Sequence, residues 1–231
     1  MKSNYYSFQF YLYLVLIFTS CGKLDYSYDS SLSGIPNLTI KDIDGNYYNI
    51  ISPWSGSQQI WMMENLRVKS YKNGDTIPQV QSSVAWNSLT TGAWCFYDNI
   101  ATGQIGVLYN WYAVNDARGL APEGWHIPTN DEWNIFQGEI PMNGGGKIRG
   151  EGWLSSCFAY SNNETAWSAL PGGVRSNGVF AGQGILSYWW SANPNPNGLN
   201  GYAFKITCAN DSYFDGEEAK NNGLYIRCIK D

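Results

Sequence analysis

The chain has 231 residues, 14 basic against 19 acidic, one histidine and five cysteines, for a formal net charge of −5. That balance argues against nucleic acid as a partner, and a single histidine excludes a multi-histidine zinc site. With 14% charged residues but 11 Trp, 17 Tyr and 25 Gly, the composition describes a loop-rich, aromatic-rich extracytoplasmic module, not a helical bundle.

Lys2 precedes an apolar run from Phe8 to Phe18, and small residues then lead to Cys21. The run is about half of the roughly 20 residues a spanning helix needs, so residues 1–20 read as a lipoprotein signal peptide. Thr19-Ser20-Cys21 fits a lipobox, with Phe18 where Leu is usual, which makes Cys21 the expected lipidation site. Residues 21–37 then form a polar tether and residues 38–231 a single domain, long enough for a real core. Loss of Lys2 leaves 13 basic against 19 acidic residues, a net charge of −6. The expected location is the outer membrane or cell surface, reached through acyl chains on Cys21 that contribute about 0.8 kcal/mol per buried methylene.

Leu38 to Ile51 alternates around Asp44-Gly45 and predicts an opening hairpin. Gln59 to Ser70 continues as a strand with Ile60, Met62 and Leu66 inward, and Asn73-Gly74-Asp75 turns the chain. Trp86 and Ala93 to Tyr97 indicate a short helix or strand, and Leu108 to Val114 has the spacing of one helix closed by Asn115-Asp116. Thr129 and Glu132 form a capping box opening a second helix that ends before Pro141, with Trp133 and Phe136 as its inward stripe. Short strands follow near Ala169 to Leu170, Tyr188 to Ser191, Tyr202 to Thr207 and Tyr225 to Ile229; Ser191 to Gly201 is an Asn/Pro loop. Short strands, two short helices and long loops make an α+β domain.

Little in the sequence points to catalysis. A serine or cysteine nucleophile has only His126 as an imidazole partner, and a lone histidine in a core-forming block reads as structural. Gly144-Gly145-Gly146-Lys147 fails the phosphate-loop pattern at Pro141 and at Ile148. Four cysteines, Cys95, Cys157, Cys208 and Cys228, permit three full pairings. Cys208 with Cys228 is favoured, because Ala209 to Arg227 reads as a long loop between two strands. Glu64, Arg67 and Arg175, charged residues in otherwise apolar blocks, are expected in ion pairs or on loop carbonyls.

Six ordered blocks, W-M-M-E-N-L-R (Trp61 to Arg67), W-C-F-Y-D-N (Trp94 to Asn99), G-V-L-Y-N-W-Y-A-V-N-D (Gly106 to Asp116), S-A-L-P-G-G-V-R (Ser168 to Arg175), Y-W-W-S-A (Tyr188 to Ala192) and Y-I-R-C-I-K-D (Tyr225 to Asp231), accompany G-W-H-I-P-T-N-D-E-W (Gly124 to Trp133). Together they resemble the Fibrobacter succinogenes major paralogous domain, found in lipoproteins and secreted proteins of Bacteroidetes and Fibrobacteres. The resemblance implies a C-type lectin-like fold, shared with formylglycine-generating enzymes, and no general activity. It also implies a cysteine before the P-x-G-W-H block that pairs with the one in the closing segment. Ala121 stands at that position, which leaves Cys228 to pair with Cys208, Cys95 or Cys157, or to stay free.

The function expected is non-catalytic binding of an extracellular glycan or protein. Trp189, Trp190, Tyr202 and Tyr213 offer faces for sugars, with Asn195, Asn197 and Asp211 as polar contacts. Asp211, Asp215 and Glu217 supply hard oxygens of the kind calcium takes, or a solvated acidic loop. The alternatives are a structural or adhesion module and a formylglycine-generating type of oxidoreductase, whose only redox candidates are Cys208 and Cys228.

Overall fold

The computed structural model describes residues 39–101, 105–140, 144–155, 157, 161–208 and 213–231, with the side chains of 213–215 outside that description. Cys21, the signal segment and the tether therefore lie outside the described residues. Asn37–Asp231 form one compact unit. Among the described residues no helix is long and apolar enough to cross a membrane.

The domain is mixed α and β, mostly β. Strands β1 (Thr39–Lys41) and β2 (Tyr47–Ile51) form the opening hairpin, with Gly45 at φ +87° in its turn. They join β3 (Trp61–Met62), the closing β12 (Ile229–Lys230) and β6 (Trp125–His126) in a sheet of order β1-β2-β3-β12-β6. A second sheet contains β7 (Gly172–Ser176), β8 (Val179–Gln183), β9 (Leu186–Pro194), β10 (Asn200–Thr207) and β11 (Tyr213–Ala219) in order β11-β10-β9-β7-β8. Strands β4 (Trp94–Cys95) and β5 (Leu108–Tyr109) make a small separate ladder.

Among the described residues four short α-helices accompany these sheets: α1 (Ser83–Asn87), α2 (Trp111–Val114), α3 (Asn130–Glu139) and α4 (Gly145–Ile148). The predicted helix over Leu108–Val114 is shorter than its spacing implied. Asn110 is extended, and its side-chain oxygen accepts from the amides of Ala113 and Ala93, so helix starts only at Trp111 while Leu108 and Tyr109 pair as strand. The Thr129 helix is as predicted. Its capping box has both bonds, Glu132 amide to Thr129 Oγ1 at 3.3 Å and Thr129 amide to Glu132 Oε2 at 2.8 Å.

Two apolar cores share the second sheet. Trp190, Ala203 and Val174 face one core with Met62, Leu66, Tyr109 and Trp111; Trp189, Phe204 and Ile206 face the other with Trp61, Trp133, Phe136 and Trp167. In the second core the Trp133 and Phe204 rings stack at 4.5 Å and 4°. Because alternate residues of a strand point to opposite faces, a sheet covered on both sides buries adjacent tryptophans together.

Candidate functional site

The loops between Asn193 and Asn222, with Trp189 and Trp190 beside them, hold the residues expected to bind ligand, and they are built differently from that expectation. Trp189 and Trp190 have no exposed surface, so neither can stack on a sugar. Trp189 Nε1 donates to Asn65 Oδ1 at 2.7 Å and Trp190 Nε1 to the Tyr109 carbonyl at 2.8 Å, which fixes both indoles inward. Asn195 is also buried, and its Oδ1 accepts from the Asn197 amide. Asn197 Oδ1 in turn accepts from the amides of Leu199 and Asn200. These amide groups hold a turn together, as short polar side chains do when they bond backbone two or three residues on. Tyr202 is half-buried on β10.

Glu217, the one metal candidate with a described side chain, accepts from Asn200 Nδ2 at 2.9 Å and Asn197 Nδ2 at 3.2 Å. The amides of Asn200, Asn195 and Asn197 hold its carboxyl below the usual carboxylate range. Asp211 lies outside the described residues, as do the side chains of Tyr213 and Asp215. Among the described residues no three His, Cys, Asp or Glu side chains gather around a common point.

The disulfide joins Cys157 to Cys208, not Cys208 to Cys228. The turn between β8 and β9 gathers the two halves: the Leu154 amide donates to the Gly184 carbonyl at 2.9 Å and the Cys208 amide to the Ile185 carbonyl at 2.6 Å, leaving the two Cα atoms 4.6 Å apart. Cys228 immediately precedes β12 of the other sheet, where its carbonyl accepts from the Met62 amide. The segment read as one long loop from Ala209 to Arg227 contains β11, which follows the edge of β10 from Ile206↔Tyr213 to Asn200↔Ala219. Cys95 and Cys228 are free and buried; burial pushes the Cys95 thiol up to about 11 and raises that of Cys228 further. A redox pair of Cys208 and Cys228 is therefore not assembled.

His126 lies between two carboxylates, with Nδ1 2.6 Å from Asp231 Oδ1 and Nε2 2.7 Å from Glu132 Oε1. Both contacts are satisfied at once only by the doubly protonated ring. Burial opposes that charge, but the hydrogen bonds to Asp231 and Glu132 outweigh it and raise the His126 pKa. The histidine thereby ties the C-terminal residue to the capping box of α3.

With this geometry in place, the comparison with known families is decisive: a model of the Fibrobacter succinogenes major domain matches residues 56–230. The chain belongs to that family. No curated protein and no solved structure matches it.

The Fibrobacter succinogenes major domain accordingly begins in the loop before β3. The β1–β2 hairpin lies outside the match, yet it continues the same sheet through Ile50↔Met62 and Ile51↔Trp61. Of the charged residues expected in ion pairs or on loop carbonyls, Arg175 is found on loop carbonyls, whereas Glu64 and Arg67 bond strand β2 instead. Glu64 accepts from the Asn49 amide and side chain, and Arg67 donates to the Tyr47 carbonyl. Arg175, fully buried, donates to the carbonyls of Val80, Gln81 and Gly178 between the rings of Trp86 and Phe180.

Arg227, equally buried, escaped the sequence reading. It donates to the Trp167 and Ser168 carbonyls and to Asn65 Oδ1, with its guanidinium 3.9 Å from the Trp167 ring. Burial lowers its pKa to about 9, still high enough to keep the charge at neutral pH. The sequence signal for it was available: an arginine flanked by Ile226 and Cys228 in an apolar strand needs internal partners.

Proposed function

We propose that this domain is the non-catalytic, ligand-binding part of a lipoprotein lipidated at Cys21 and displayed at the outer membrane or cell surface, with a C-type lectin-like fold and an extracellular glycan or protein as its ligand. One observation carries the reading: the chemically reactive side chains among the described residues are buried or held in contacts within the scaffold. His126 is locked between Glu132 and Asp231, the Cys95 and Cys228 thiols are buried, and Arg175 and Arg227 hold loop carbonyls. A domain built this way offers a rigid surface for recognition, and ligand affinity benefits because little ordering is left to do on binding.

The test is a glycan array with the detergent-solubilised full chain, run in calcium and again in EDTA. Retention of defined glycans supports the reading, and loss in EDTA shows that it needs a divalent cation, which Asp211→Asn and Asp215→Asn would then locate or exclude at that segment. Silence in both buffers moves the reading to a protein partner. Copper binding together with thiols reactive in the folded chain would replace it with the oxidoreductase alternative.

A further inference from the structure

We propose that a second polar surface, the cleft between Thr76, Thr90–Gly92 and Tyr112–Arg118, binds a neutral saccharide. The proposal rests on the ligand-binding reading above and gives it a location that the predicted Asn193 to Asn222 surface does not supply. The cleft has a volume of about 570 Å³, within the roughly 300–1,000 Å³ usual for small-molecule sites.

Its walls are held in place from behind. Asn110, fully buried, donates from Nδ2 to the Thr91 carbonyl at 2.8 Å while its Oδ1 accepts from Ala93 and Ala113, so one side chain fixes the Thr90–Gly92 wall against α2. Arg118 fixes the third wall: Nε and Nη2 bond Asp116 at 2.9 and 2.8 Å, Nη1 bonds Asp75 at 3.0 Å, and the guanidinium lies 3.9 Å over the Tyr71 ring. Gly92 forms part of the floor, where a Cβ would come within 2.0 Å of the Tyr71 hydroxyl and 3.0 Å of the Ala113 backbone. A cleft held this way is present before any ligand arrives.

Most polar groups of the Asn195–Asn200 turn are consumed internally, in contrast to those that face this cleft. Thr76, Thr90, Thr91 and Asn115 are exposed and Tyr112 is half-buried, and among the described residues their hydroxyls and the Asn115 side-chain amide make no hydrogen bond to the protein, which leaves them to solvent or a ligand. Hydroxyls and an amide donate and accept alike, which matches sugar hydroxyls, and the half-buried Tyr112 ring adds an aromatic face. Charge bears on the choice as well. Asp116 and Arg118, the charged residues that line the cleft, pair with each other and cancel, and the Arg118 hydrogen bonds hold the Asp116 carboxyl down to about 2, so it stays an acceptor across the physiological range. A lining without net charge suits a neutral sugar, and an anionic one finds the Arg118 donors already spent on Asp116 and Asp75.

The test is an amide NMR titration of the full chain with glucose, galactose, N-acetylglucosamine and cellobiose, and with glucuronic acid as the anionic arm. The expected result is perturbation of Thr90, Thr91, Gly92, Tyr112 and Asn115 by at least one neutral sugar, with glucuronic acid weaker. Tyr112→Ala and Asn115→Ala each weaken that sugar about tenfold or more, while Tyr112→Phe, which keeps the ring, retains most of the affinity. Perturbations confined to Asn197–Asn200 overturn the cleft but leave the ligand-binding reading standing. No perturbation by any sugar overturns the cleft proposal, and a glycan array positive with the same chain would show that the broader reading survives it.

Discussion

At the scale of single residues, His126 gives a pH dependence whose sign is fixed by its neighbours. Its folded pKa is raised above the ordinary 6.5, so its contribution to stability is fully present below about pH 6.5 and is lost as pH rises through the folded value. The ring is partly exposed and its partners Glu132 and Asp231 are solvated, so screening limits the contribution to about 1 kcal/mol or less. Thermal melts should therefore show a fall in midpoint from pH 6.5 upward that His126→Gln removes; an unchanged slope in that variant would contradict the assignment. The cysteines give a second prediction. In the folded chain Cys95 and Cys228 should resist an alkylating reagent and both should react in guanidinium, with peptide mapping showing Cys157 linked to Cys208. A peptide linking Cys208 to Cys228 would contradict the fold. Trp189 and Trp190 show what was unreadable at this scale: adjacent residues on a strand point to opposite faces, and only the fold shows that both faces are covered.

At the scale of elements, local chemistry was the most legible. The capping box at Thr129, the Asp44-Gly45 hairpin and the Asn73-Gly74-Asp75 turn are all present, because each is decided within a few residues. Thr129→Ala should cost about 1 kcal/mol, measured by denaturant unfolding, because the Glu132 amide loses its acceptor. The β7–β8 hairpin was legible too but unread: Asn177-Gly178, at φ +49° and +75°, is the two-residue turn between Ser176 and Val179. Strand β11 was not legible. Its sequence, Y-F-D-G-E-E-A, has poor strand propensity and is tolerated at a sheet edge, where charged side chains discourage further pairing. Lys205 on β10 reaches across to Glu218 at 2.6 Å and helps hold the edge, a contact with no local signature.

For the whole molecule, stability rests on two aromatic cores meeting at one sheet. Trp133→Ala should cost about 3–5 kcal/mol, because its ring fills the space between Phe204, Trp61 and Trp167. Gly201→Ala should cost about 1–3 kcal/mol, since a Cβ there would come within 2.3 Å of the Trp111 ring. Cys157 and Cys208 close a loop over a sequence separation of 51 residues, a constraint of about 4 kcal/mol in the chain-entropy model. The mixed α and β character and the family were legible because the apolar and aromatic residues cluster in short ordered blocks. The proposed cleft was not legible, since free hydrogen-bonding groups are recognised only after the spent ones are known. The comparison that bears most directly on function is a glycan array run side by side with the wild-type full chain and Tyr112→Ala, in calcium and in EDTA. Neutral glycans retained by the wild type in both buffers and lost by the variant are the expected result; calcium-dependent retention unaffected by Tyr112→Ala would contradict it.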